Sequence, residues 1–305
     1  MDAMPWPFGP YPPGGLEELG PHVIAYYAGG FPASNSAIVR GTEGALVFDP
    51  NCFRFAEELR AAADEIGIRP GVTVLSHAHD DHTMGTERFS PPARVLSRSK
   101  ARERLQRNLS EGRRPGAQYE RGYPGAAREA EGVRIVVPGE TVERPTVLDL
   151  GGGVTVRLQP EELAHTDGDL WALVEPDGVA LCGDLWYARC EPYVGSGSVR
   201  GLLRAMERIR EAGAGRCLPG HGPAGPMLPR NTDPVERHLR WVLDRAAEAV
   251  VRGLSGAALR EDLRRRFEDQ RSRPGGVDFP VRIPGFLEVT ASAAERDVRA
   301  SAPRP

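Results

Sequence analysis

Ser76-His77-Ala78-His79-Asp80-Asp81-His82-Thr83 places three histidines and two aspartates within six positions of a chain that holds only seven histidines in 305 residues. The spacing carries the chemistry. On an extended segment side chains alternate with a period of two, so His77 and His79 point the same way and can hold one cation. The chain then turns, and Asp81 with His82 can address a second. Imidazole nitrogens and carboxylate oxygens suit zinc first, with manganese or iron as alternatives. These positions alone leave two cations short of ligands. Three further residues of the right type lie downstream, each next to an expected strand: His165 in Ala164-His165-Thr166-Asp167-Gly168-Asp169, Asp184 after Val179–Gly183, and His221 in Pro219-Gly220-His221-Gly222.

The surrounding pattern is that of an α/β chain. His22–Ala28, Asn35–Arg40 and Ala45–Asp49 read as strands, and Phe53–Ile66 has apolar residues at helical spacing. Val72–Ser76 is a short buried strand with the histidine cluster at its C-terminal end, where open α/β sheets bind ligands. Ala93–Ser97 is a strand, followed by a polar helix over Lys100–Leu109. Strands are expected again at Val133–Val137, Thr146–Leu150, Val154–Gln159, Leu170–Val174, Val179–Gly183 and Arg216–Leu218, with a helix over Val199–Ala212. Strands then helix, given twice, imply two sheets packed face to face with helices outside. Helices near Val235–Val251 and Ala257–Phe267 extend the unit. Residues 111–131, rich in Gly, Pro and Arg around Tyr119 and Tyr123, form a long loop, a length at which loops tend to be functional or disordered; the readings are a lid or a plain surface insertion.

The ordered set His-x-His-x-Asp-His, His-Thr, Gly-Asp and Gly-His-Gly resembles that of the metallo-β-lactamase superfamily over roughly Val23–Pro223. The resemblance implies a four-layer αββα sandwich with metals at one edge. It makes His77, His79 and His165 ligands of a first metal, and Asp81, His82 and His221 ligands of a second, with Asp184 as the bridging carboxylate. The activity implied is that of a dinuclear hydrolase in which a water shared by two cations, its pKa lowered, supplies a bridging hydroxide. Asp81 would orient that hydroxide and pass a proton to the leaving group. The alternative is a non-hydrolytic enzyme with a redox-active iron site on the same scaffold. Two departures stand out. The second strand ends Asp49-Pro50-Asn51 where the family often has Asp-Thr-Gly, which leaves Asp49, like Asp167 and Asp169, able to orient a ligand from behind. Asp184 stands where many β-lactamases carry cysteine, which favours thioesterase-like and lactonase-like members. The run Ala164–Asp184, the helix after it and Pro219–Pro223 are similar to a bacterial subgroup containing aromatic-polyketide thioesterase/cyclases, and the later helices with Trp241 suit that layout.

The expected substrate is therefore a thioester, ester, lactone or lactam of a small organic molecule, free or linked to an acyl carrier, with specialised metabolism as the setting. Trp186, Tyr187, Arg189 and Tyr193 follow Asp184 and are the expected pocket wall, with Phe31 and the Tyr119–Tyr123 loop opposite. His22 and His238 match nothing in the metal pattern. Basic and acidic residues number 39 and 42, giving a net charge of −3, so nucleic acid and anionic membrane are not expected partners. No run approaches the roughly 20 apolar residues of a membrane span, and residues 1–20 lack the basic start and apolar run of a secretory signal, so the expected location is cytoplasmic. The four cysteines form no C-x-x-C pair and are expected as thiols, with Cys182 and Cys217 in the core. The expected organisation is a Pro/Gly-rich arm over 1–20, a metallo-β-lactamase domain over 21–230, a helical extension over 231–270 and an irregular tail over 271–305. The arm and tail point to contacts in a homodimer.

Overall fold

A computed structural model of the chain describes residues 14–301 except 31–32, 91–92, 121–122, 231, 272–278 and 280–281. Phe31 and most of the Pro-rich arm thus lie outside the described residues. The first sheet runs in chain order through β1 (Gly15–Glu18), β2 (Val23–Tyr27), β3 (Ser36–Arg40), β4 (Ala45–Phe48), β5 (Val72–Val74), β6 (Arg94–Ser97) and β7 (Glu140–Thr141). The first four strands are mutually antiparallel, and β4 to β7 are parallel. The second sheet holds β8 (Thr146–Asp149), β9 (Thr155–Pro160), β10 (Leu170–Glu175), β11 (Val179–Tyr187), β12 (Arg216–His221) and β13 (Gly225–Pro226) in that spatial order. Only its β11–β12 pair is parallel.

Alternation along the strands sorts the side chains into layers. In β3 and β4, Ala37, Val39, Leu46 and Phe48 face the second sheet and meet Val156, Leu158, Ala172, Val174 and Leu181. Their neighbours Ile38 and Val47 face outward onto α1 (Phe53–Glu65), whose Phe55, Leu59 and Ala63 complete that layer. The far side of the second sheet is covered by α6 (Val199–Glu211) through Leu202, Ala205, Met206 and Ile209. Between α1 and α6 lie the short or peripheral α-helices α2 (Asp80–Thr83), α3 (Thr86–Phe89), α4 (Ser99–Ser110) and α5 (Ala126–Glu129). The result is the expected helix–sheet–sheet–helix sandwich.

Beyond it, α7 (Pro234–Val251), α8 (Gly256–Arg271) and α9 (Phe286–Ser301) pack on one another, and α7 and α9 pack on α6. Asp233 caps α7 by accepting from the amides of Val235 and Glu236, and Pro234 stands where its missing amide costs nothing. The tail was expected to be irregular, but Leu287, Thr290, Ala291 and Ala294 form one buried helical face. Alanine and threonine give that face little hydropathy, and the Gly/Pro-rich stretch before it hides its start. Two other expectations change. Residues 15–18, assigned to the arm, form an edge strand on β2. Val133–Val137 is not a strand, because β6 pairs instead with Glu140–Thr141. All four cysteines are buried thiols, and His22 is held by Asp177 at 2.7 Å. Among the described residues no helix is long and apolar enough to cross a membrane.

Phe267 of α8 is fully buried against the rings of His238 and Trp241. Replacing Phe267 with alanine is expected to lower stability by about 3–5 kcal/mol. Urea unfolding should still follow one transition, because the helical layer shares a core with the second sheet. A separate early transition that leaves the sheets intact would show that this layer folds by itself.

Candidate metal centre

The site begins with a carboxylate behind it. Asp49 ends β4 in a left-handed backbone conformation (φ 54°), as do Asn51 and Phe53 just after it (φ 65° and 50°). Three such residues in a row of five are strained backbone, which persists only where the surroundings hold it. Here they do: Asp49 accepts from the Ser76 amide at 2.7 Å and the Ser76 hydroxyl at 2.6 Å, and Asn51 donates to the Ser34 carbonyl at 2.6 Å. Asp49 thereby fixes the exit of β5, from which His77 and His79 project. Its Oδ2 also lies 2.8 Å from His82 Nδ1, which turns the other ring nitrogen, Nε2, into the site. Asp49 is thus the ligand-orienting residue among the three aspartates considered. Asp169 instead holds the turn after His165 through the amide and hydroxyl of Thr166, and Asp167 is exposed.

Two groups result. In the first, His77, His79, His165 and Asp184 each offer a ligand atom, all within 4.8 Å of one another; in the second, Asp81, His82 and His221 do the same. Every one of the seven residues read from the sequence is therefore brought together. His77 Nε2 and His165 Nε2 lie 2.9 and 3.0 Å from His79 Nδ1. Asp184 stands between the groups. Its Oδ2 is 3.3 Å from His165 Nε2, and its Oδ1 is 3.2 Å from His82 Nε2 and 3.3 Å from His221 Nε2. Two glycines permit this. Gly183 takes φ 51° where a Cβ would strike Ser76, and a Cβ on Gly220 would lie 2.0 Å from Asp184 Oδ1.

The electrostatics divide along the same line. Burial, reinforced by neighbouring imidazoles, holds His77 and His79 below the usual histidine range, His79 at about 3. Burial opposes the charged form of His221 and His82 as well, yet the surrounding carboxylates, Asp184 foremost, outweigh it. They raise His221 to about 9 and His82 well above normal. Asp81 resists the upward push of burial because His82 and His221 face it, and it falls to about 2.

The donor set fits divalent cations. His82 Nε2 and Asp184 Oδ1 are buried polar atoms with no hydrogen-bond partner, 3.2 Å apart where the two groups meet. Buried polar atoms are nearly always satisfied, so such a pair marks a ligand position. The opposite ring nitrogens are satisfied as metal-ligating histidines require: Ser76 Oγ lies 2.9 Å from His77 Nδ1, and the Tyr193 carbonyl is 2.9 Å from His165 Nδ1.

The residues expected to line a pocket separate. Trp186 points away, buried in the helical layer with the Arg210 guanidinium over its ring; regular alternation would put it on the same face as Asp184, two residues earlier, and the register shift of β11 past Gly183 separates the two. Tyr187 supports the ligands: its hydroxyl donates to Asp184 Oδ2 at 2.9 Å and its ring stacks on His221. Arg189 is exposed on a left-handed backbone (φ 62°). Tyr193, half-buried, does face the site, with its ring 6.2 Å from those of His79 and His165, and Phe286 of α9 backs it at 4.9 Å. Sequence reasoning did not single out Asn35, Ser76 or Phe286. Asn35 ties β3 to the His221 loop, donating through its side chain to the carbonyls of Pro219 and Gly222. A buried asparagine just before an apolar strand was the available signal.

Comparison with known proteins agrees with this geometry. The family described as the metallo-beta-lactamase superfamily matches residues 29–221. The chain belongs to that superfamily. No curated protein matches it. Among solved structures it is similar to a metallo-beta-lactamase from Pontibacter korlensis, at 18% identity over 70% of this chain and 93% of that one, with a TM-score of 0.56. The stereoselective inverting sec-alkylsulfatase Pisa1 from Pseudomonas sp. gives a TM-score of 0.70 at 16% identity, over 96% of this chain and 52% of that one. At these identities the likeness is one of fold.

Protons must leave a ligand before a cation binds. At neutral pH the metal-free protein holds a proton on His221, whose pKa is raised to about 9, whereas His79, lowered to about 3, is already neutral. Cation uptake is therefore expected to release protons from the second group and none from the histidines of the first. Affinity of the second group should rise with pH through the His221 range near 9. Calorimetry in two buffers of different ionisation enthalpy counts those protons, and zero release at neutral pH would contradict the assignment.

Proposed function

We propose that this chain is a hydrolase that uses two divalent cations, zinc in the first instance, to cleave a thioester, ester, lactone or lactam of a small-molecule or acyl-carrier-linked substrate. The observation that carries this reading is Asp184, whose two oxygens face two separate histidine groups from one buried carboxylate. His77, His79 and His165 would hold one cation, Asp81, His82 and His221 the other, and Asp184 both. Two divalent cations bound there would supply a water acidic enough to ionise near neutral pH and positive charge to stabilise a developing oxyanion.

The protein's own part is placement and proton handling. Asp49, Ser76 and the Tyr193 carbonyl lock three imidazoles in one orientation each, so the reacting groups meet without reorganisation. Asp81, ionised at neutral pH because His82 and His221 hold it down to about 2, would orient the attacking water and pass its proton to the leaving group, in addition to holding the cation. Tyr193, backed by Phe286, offers an aromatic wall to an apolar acyl portion.

One observation widens the choice of scissile bond. The alkylsulfatase likeness extends over 96% of the chain, past the sandwich and into the region of α7–α9, whereas the metallo-beta-lactamase covers 70%. A sulfate ester accordingly joins the carboxylic substrates.

Proton release by the metal-loaded protein tests the thioester, ester, lactone and sulfate-ester classes with one detector, because each of these hydrolyses liberates an acid that ionises at neutral pH; lactam opening, whose freed amine can take up the proton, is followed by ultraviolet absorbance. Release is expected with one class, and Asp81→Ala should reduce it about 10²–10⁴-fold while circular dichroism and melting stay near wild type. Wild-type turnover in Asp81→Ala would refute the role given to that residue. Silence on every class with both cations bound would refute the hydrolase reading and favour a redox-active iron site.

A further inference from the structure

The segment between α4 and α5 does more than cover the surface. The amide of Gly116 and the side-chain amide of Gln118 both donate to Asp80 Oδ2, at 2.8 and 2.7 Å, and the Tyr119 hydroxyl donates to Asp81 Oδ1 at 2.6 Å. Three donors from four consecutive residues thus grip two consecutive buried carboxylates. The grip has a seat: the Tyr119 ring meets Phe53 edge-on with centroids 6.2 Å apart, and Gly116, at φ 74°, lies where a Cβ would strike the Phe53 ring.

A bland account would make this ordinary loop packing. The division of labour on Asp81 argues otherwise. Its Oδ2 faces His221 Nε2 at 3.2 Å and His82 Nε2 at 3.5 Å, inside the second ligand group. Its Oδ1 is taken by the tyrosine. A free carboxylate can present either oxygen, or both, to a cation; one whose outer oxygen is held by a hydroxyl presents one.

We infer that Tyr119 is a positioning residue, which fixes Asp81 to single-oxygen ligation in the second group and, with Gly116 and Gln118, latches residues 116–119 over that half of the centre. The inference rests on the two-cation reading and adds to it a residue outside the ligand set. By linkage, cation binding to the second group and seating of the latch stabilise each other, and the three hydrogen bonds of the latch go to Asp80 and Asp81 rather than to His77, His79 or His165.

The test is a cobalt(II) titration of the full-length metal-free protein, read by visible absorption and by competition with a chelator. Wild type is expected to bind two equivalents. Tyr119→Phe removes only the hydroxyl. It should weaken the second equivalent about tenfold or more and alter that equivalent's absorption bands, leaving the first unchanged. Tyr123→Phe is the control: that hydroxyl bonds Glu129 rather than either aspartate, and both equivalents should match wild type. If Tyr119→Phe matches wild type in affinity and bands, or weakens both equivalents alike, the positioning role is overturned. If wild type itself takes up fewer than two equivalents, the two-cation reading fails first, and it does so before any variant is examined.

Discussion

Burial of the Asp184 carboxylate among four imidazoles is the constraint around which the molecule is arranged. An ionised carboxylate away from water is costly unless matched, and Asp184 is 5% exposed. Without cations the balance is kept by protons, which the carboxylates hold on His82 and His221. With cations those protons are exchanged for metal charge. Both sheets bend to this need. Gly183 and Gly220 let two strand ends approach the carboxylate, and strained backbone at Asp49, Asn51 and Phe53 carries the orienting group to the back of His82. That strain is tolerable because hydrogen bonds from Ser76 and to Ser34 hold the turn from both sides.

Much of this was legible before any coordinates, and for a physical reason. Metal ligation demands particular residue types at spacings set by strand geometry, so the seven ligand positions stand out against any background. The sandwich was legible because two-residue alternation and helical spacing recur in order. What stayed hidden depends on three-dimensional register. That Asp184 faces the site and Trp186 does not cannot be read from the chain, since regular alternation would put residues two apart on one face and the irregularity of β11 past Gly183 is what parts them. Phe286 was invisible for a different reason, being separated by some ninety residues from Tyr193, the ring it supports. Helix α9 escaped because alanine and threonine make a good close-packing face and a poor hydropathy signal.

The helical layer bears on the site through that same contact. Phe286 starts α9 and sets the position of Tyr193, whose carbonyl orients His165; Thr290, one turn on, donates to the Pro192 carbonyl and accepts from the Val194 amide. The segment that follows β11 is therefore pinned from the outside by a helix nearly a hundred residues later. Differences in this layer among relatives would reshape the mouth of the centre without touching a ligand.

The centre also lies on a seam. His77, His79, Asp81 and His82 come from the first sheet's side, His165, Asp184 and His221 from the second's, and Asn35 stitches the two edges through the backbone of residues 219–222. Bound cations would consequently act as cross-links between halves that are distant in the chain, closing a loop of well over a hundred residues as a disulfide does elsewhere, but through bonds that open when the ligands regain their protons. A chain still being synthesised has no complete site until His221 has emerged and both sheets have met. Loading of the centre is thus a readout of finished folding, and a chain whose halves fail to dock carries no competent chemistry.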